Sequence, residues 1–201
     1  MAEALKSSIL EYAFEGIDGG GKTTNIQQLQ RYYSERNYNV VILLGLSQTD
    51  FGKAIRRNIV KLNSLGTGGI RFFKEDIRRS YASLDETPAD ILLWDRHLYS
   101  IYAANAALPD LNVIRRAEPL VPEPPKVFIM NVPADIAWMR EQRAQKGDHP
   151  LTPEWLAARR TKYLELLHIE PERFIEIDAT KPFNDVSSRL VSIIDEDLSR
   201  R

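Results

Sequence analysis

The chain has no cysteine. That excludes disulfides, a thiol nucleophile and thiolate-bound zinc, and it fits a reducing compartment. An excess of one charge is also missing: 27 Lys and Arg stand against 28 Asp and Glu, for a formal net charge of -1. A chain so balanced does not hold nucleic acid through its overall field, although a local basic groove is compatible with it. Long apolar runs are absent too. The longest, Val40–Leu44, falls far short of the roughly 20 residues of a membrane span. Residues 1–8 include Glu3 and Lys6 and show no apolar signal core, so a cytoplasmic location is the expectation. The three histidines, His97, His149 and His168, have no metal-ligand spacing. What remains is an ordinary globular composition, 43% hydrophobic and 27% charged over 201 residues. That length suffices for one self-supporting domain.

Five short apolar runs punctuate the chain: Ile9–Phe14, Val40–Leu44, Ile91–Trp94, Val127–Val132 and Phe174–Ile177. They read as buried parallel strands. Helical periods lie between them, over Lys22–Arg36, Pro153–His168 and Asn184–Leu198. Thr152 and Pro153 supply a cap and a first-turn proline for the second. Strand–helix alternation predicts an α/β fold, a five-stranded parallel sheet flanked by helices in a three-layer sandwich. Residues 108–125 hold five prolines, which excludes a long helix there. The polar segment Gln142–Leu151 reads as a loop that closes over a ligand. Residues 1–201 are thus expected to form one domain with a lid near 140–152.

Gly16-Ile17-Asp18-Gly19-Gly20-Gly21-Lys22-Thr23 fits the phosphate-binding pattern G-x-x-x-x-G-K-[ST]. Glycines let successive N–H groups turn into one concavity, and the following helix adds its positive end. Gly16, Gly19, Gly20, Gly21, Lys22, Thr23 and Thr24 are therefore the candidate ATP-binding residues. Lys22 would meet the β- and γ-phosphates and Thr23 would hold Mg²⁺. Asp95, ending the third apolar run, is a second candidate for Mg²⁺. Arg96 follows it where an ATPase motor would have a glutamate, which suits clamping a phosphate. No guanine-reading N-K-x-D segment follows the fourth run, where Asn131-Val132-Pro133-Ala134 stands.

The ensemble resembles the thymidylate kinases. Phe14–Thr24 resembles their opening, Asp95-Arg96-His97 with Ser100 their D-R-[YH]-x-x-S element, and Pro124-Pro125-Lys126 their proline-led fourth strand. Arg140 and Arg143 fall where that family has lid arginines. Tyr163–Leu166 and Ile177-Asp178-Ala179 resemble its closing helix and last strand. The resemblance implies an ATP- and Mg²⁺-dependent nucleoside monophosphate kinase acting on a small-molecule nucleotide, with no nucleic-acid or membrane partner, and commonly a homodimer. It implies that Asp18 contacts the acceptor or the Mg²⁺ shell and that Arg96 holds the acceptor phosphate. It also implies that Arg140 and Arg143 close over the transferring group, and that Ala179 lines the adenine pocket. Phe72 or Phe73 would stack on the acceptor base, with Arg78 or Arg79 beside it and with Ser100 and Asn105 nearby.

The chain departs from the family at the acceptor. Leu43–Gln48 replaces the R-E-P segment, Asn105 stands nearest to the base-reading glutamine, Gly19 takes the place of a loop arginine, and His149 follows Asp148 in the lid. A pyrimidine deoxynucleotide is the expected acceptor. Two alternatives stay open: a nucleoside kinase with Glu15 or Asp18 as base, and a nucleotide-binding regulatory module without transfer.

Overall fold

The computed structural model describes residues 9–46, 48–58, 69–84, 87–104, 110–144 and 152–201. Five strands form one parallel sheet: β1 (Leu10–Glu15), β2 (Val40–Leu44), β3 (Ile91–Asp95), β4 (Lys126–Asn131) and β5 (Phe174–Asp178), in the order β2-β3-β1-β4-β5. The expected runs are thus strands, displaced by a residue at some ends. β1, β3 and β4 are buried along most of their length, as central strands covered on both faces must be.

Eight helices accompany the sheet among the described residues: α1 (Lys22–Ser34), α2 (Asp50–Arg57), α3 (Ile70–Ala82), α4 (Leu98–Ala104), α5 (Leu111–Arg116), α6 (Ala134–Ala144), α7 (Pro153–Ile169) and α8 (Phe183–Ser199). Thr152 caps α7 by accepting from the Trp155 N–H. The proline-rich stretch admits only the short α5, closed by a cis Glu118–Pro119 bond. α3 buries Phe73, Asp76, Ile77 and Ser80, a spacing of three and four that makes one inward stripe.

The core forms around Tyr12, Phe14, Trp94 and Phe128, all at most 1% exposed. α8 is tied to it by polar groups: Tyr12 Oη donates to Asp197 at 2.8 Å and Tyr33 Oη to Asp195 at 2.9 Å. The register pairs Phe14 with Asp95 and Asn131 with Asp178. Glu15, Asp95, Asn131 and Asp178 therefore end at one edge of the sheet, the side on which open α/β sheets bind ligands. No helix among the described residues is long and apolar enough to cross a membrane.

Candidate active site

The loop between β1 and α1 lies at that edge. Gly19 has φ +78° and lies so close to the Ala137 backbone of α6 that a Cβ would collide with it; Gly21, capping α1, has φ +79°. Side chains rarely adopt such angles, so glycine is required at both points. Lys22 begins α1 and is buried. Its Nζ donates to the carbonyls of Gly16 at 3.0 Å and Ile17 at 2.8 Å. Burial, then the neighbouring Arg96, lowers its pKa to about 8 against the pull of Asp18, Asp95 and Glu15. Thr23 Oγ1 donates to Asp95 Oδ2 at 2.5 Å. A hydroxyl and a carboxylate side by side are oxygen donors of the kind Mg²⁺ takes when phosphates complete its shell. Among the described residues no group of three or more acidic, His or Cys side chains offers a stronger metal site.

Arg96 is the hub. Its backbone has φ +72°, a costly angle for a residue with a Cβ. Its interactions hold it there. Nη2 is paired with Asp18, and Nη1 donates to Gly16 O at 3.1 Å and to the hydroxyls of Ser100 and Tyr163 at 3.3 Å. Burial pushes the Asp18 carboxyl up, but Arg96, Lys22 and Arg159 outweigh it and bring its pKa to about 2. Behind Arg96 lies Glu15, buried in the sheet edge. It accepts from His97 N at 2.7 Å, Ser100 N at 3.1 Å, Ser100 Oγ at 2.6 Å and Tyr163 Oη at 3.0 Å. Its pKa is raised by burial, against those hydrogen bonds and Arg96.

These groups border a cavity of about 910 Å³ whose lining includes Asp18 to Asn25, Asp95, Arg96, Arg140 and Ala179. Arg140 bridges two of its walls, donating to Gly19 O at 3.3 Å and Ala179 O at 3.0 Å. Lys181 and Phe183 also line it. Gly16 supports the loop from behind through its carbonyl. A smaller space beyond Arg96 is lined by Phe73, Ser100 and seven others.

Four expected residues are not brought together with these. Phe72 is 41% exposed, because the inward stripe of α3 carries Phe73 instead. Arg78 lies on the outer face of α3, paired with Glu75 at 2.7 Å, and Arg79 pairs with the same carboxylate. Arg143 is exposed on the last turn of α6. Asn105 and the lid residues 145–151 lie outside the described residues.

Two groups were not foreseen. Tyr163 connects α7 to Glu15, Ser100 and Arg96. One helical turn earlier, Arg159 stacks over the Trp155 ring at 3.6 Å. Burial first lowers its pKa, to about 10, with Arg96 adding to that and Tyr163 and Asp18 opposing. A tyrosine and an arginine four apart on a helix read as packing and surface, and only the tertiary fold makes them neighbours of Asp18 and Arg96.

A glycine-rich loop that leads from a central parallel strand into a helix, facing an Asp–Arg pair at the end of the neighbouring strand β3, defines a P-loop nucleotide kinase, a phosphotransferase. The chain belongs to the thymidylate kinase family, whose model matches residues 14–190. It is 26% identical over 195 residues to a probable thymidylate kinase of Pyrococcus horikoshii, covering 92% of this chain and 95% of that one. It is 28% identical over 184 residues to a probable thymidylate kinase of Sulfurisphaera tokodaii, covering 90% and 94%. With a thymidylate kinase of Bifidobacterium longum it shares 26% over 201 residues, covering 92% and 96%.

Proposed function

We propose that the chain, as one domain with a lid near 140–152, transfers the terminal phosphoryl group of ATP to the phosphate of a nucleoside monophosphate. A pyrimidine deoxynucleotide is the acceptor class. The observation that carries this is the placement of Arg96, paired with Asp18, beside Lys22 on one cavity. One cation faces the loop for ATP phosphates, and the other is free to exchange its carboxylate partner for a second phosphate.

An acceptor phosphate oxygen, already ionised at neutral pH, attacks the terminal phosphorus in line. The bond to the bridging oxygen breaks and ADP leaves with that electron pair. The transition state is loose, so positioning and positive charge supply the catalysis. Lys22 and the loop N–H groups orient ATP. Arg96 holds the acceptor phosphate, Asp18 sets the angle of Arg96, and Arg140, joined by Arg143 on lid closure, covers the transferring group. Thr23 and Asp95 would hold Mg²⁺, which when bound neutralises charge on the phosphates.

A free-hydroxyl acceptor would require a base. Glu15 is saturated by four donors, and Asp18 is held to Arg96 with a pKa near 2, so neither suits that task. Incubation with Mg²⁺-ATP and a panel of nucleosides and nucleoside monophosphates, followed by ADP release, tests the proposal. Transfer to monophosphates is expected. Transfer to nucleosides alone would replace it with a nucleoside kinase, and ATP binding without transfer would leave a regulatory module.

A further inference from the structure

The two terminal nitrogens of Arg96 have unlike partners. Nη2 is paired with the Asp18 carboxylate, which borders the large cavity. Nη1 has two hydrogens to give and three neutral oxygens around it: Gly16 O at 3.1 Å and the hydroxyls of Ser100 and Tyr163 at 3.3 Å. A phosphate can take the place of a carboxylate on a guanidinium, since it offers charge and oxygens in the same geometry. The Nη1 partners belong to the fold instead. Gly16 O is loop backbone that also accepts from Lys22 Nζ at 3.0 Å, and Tyr163 is 2% exposed.

A hydroxyl can donate or accept, and beside a cation only the accepting orientation holds it. Glu15 imposes that orientation. It ends β1 and is fully buried. Its Oε1 accepts the N–H groups of His97 at 2.7 Å and Ser100 at 3.1 Å. Its Oε2 accepts the hydroxyl hydrogens of Ser100 at 2.6 Å and Tyr163 at 3.0 Å. With both hydrogens drawn to Glu15, both hydroxyl oxygens turn lone pairs toward Arg96. The two oxygens lie 3.0 Å apart although α4 and α7 supply them from positions 63 residues apart. Glu15 thus acts on Arg96 through two hydroxyls, and it makes no ion pair of its own that would compete with a phosphate.

We propose that Tyr163 and Ser100, oriented by Glu15, are positioning residues that lock Nη1 of Arg96 and leave Nη2 as the half that trades Asp18 for the acceptor phosphate. This rests on the nucleoside monophosphate kinase activity proposed above. The freedom of the long arginine side chain is then given up on folding, so that less is lost when the phosphate binds.

Tyr163→Phe deletes the hydroxyl and keeps the ring. The full chain and this variant would be titrated by calorimetry with dTMP, thymidine and ATP, and ADP release followed under Mg²⁺-ATP. The variant should bind dTMP about tenfold more weakly, while thymidine, which has no phosphate, and ATP bind as before. In an Arg96→Lys background, where there is no Nη1, Tyr163→Phe should have little further effect on dTMP. Equal weakening of dTMP and thymidine would make Tyr163 a structural wall and overturn the inference. Unchanged dTMP affinity, or the same loss in the Arg96→Lys background, would overturn it too. If Tyr163→Phe does not fold, Ser100→Ala, which removes the other hydroxyl, must show the same split between dTMP and thymidine. These losses without ADP release from the wild type would uphold the lock and defeat phosphoryl transfer. A wild type that does not prefer dTMP to thymidine would defeat both.

Discussion

Lys22 has its ammonium group removed from water and shares its surroundings with Arg96, and these two effects, in that order, lower its pKa to about 8. A phosphate against the ammonium favours the charged form. Above pH 8 the free protein therefore holds Lys22 largely neutral, while the ATP complex holds it charged. Binding must then take up a proton between about pH 8 and the higher pKa of the complex. ATP affinity should fall by up to tenfold per pH unit over that interval. Calorimetric titration with ATP at pH 9, in two buffers of different ionisation enthalpy, should give an uptake approaching one proton. No uptake at pH 9 would show that Lys22 does not meet the phosphates.

At the scale of elements, α3 couples the smaller space beside Arg96 to the rest of the fold. Phe73, Asp76 and Ile77 face the small space, while Lys74 is 1% exposed on another face. Its ammonium donates to Ile114 O at 3.0 Å, Arg115 O at 3.2 Å and Ala117 O. Those carbonyls belong to the last turn of α5 and the residue after it, where backbone acceptors run short of helical partners, although Ile114 O also accepts the Ala117 N–H at 3.3 Å. Lys74→Met keeps the stem and deletes the charge. It should destabilise the protein by roughly 2–4 kcal/mol, since buried carbonyls lose charged donors, measured as a shift in urea midpoint. An unchanged midpoint would mean that water replaces the lysine. This device was not legible in the sequence: a lysine within Ile70–Ala82 reads as a solvated position, and burial there is set by a helix forty residues later. The strands and α1, α7 and α8 were legible because their apolar periods are local. α2 was not, because its buried Gly52 and Ile55 make too short a pattern.

Across the whole molecule the cavity is lined from the ends of β1, β2, β3 and β5, and the legibility of its residues depends on how local their signals are. Lys22, Thr23, Asp95 and Arg96 stand in spacings whose chemistry is local, so the sequence announced them. Tyr163 and Arg159 enter through the docking of α7, and Phe73 is distinguished from Phe72 only by the rotation of α3. His97 carries the most global consequence. Enclosed by Trp94 at 4.7 Å between ring centroids and by Tyr81 at 6.0 Å, it has its pKa lowered by burial to about 3, while in the unfolded chain it titrates near ~6.5. Between those values the unfolded chain binds a proton that the native one does not. Stability from this residue is therefore fully present above about pH 6.5 and is lost as pH falls toward 3. Glu15, whose pKa is raised, acts in the opposite sense, and Asp18, with a pKa near 2, gives stability that is constant above about pH 4 and is lost only below it. Urea unfolding at pH 7 and pH 4.5 should show a loss on the order of 2–3 kcal/mol attributable to His97. His97→Phe, compared at the same two pH values, should lose less by that amount, even if it is less stable at both. Equal losses in the two proteins would mean that His97 is protonated, or hydrated, in the native state at pH 4.5.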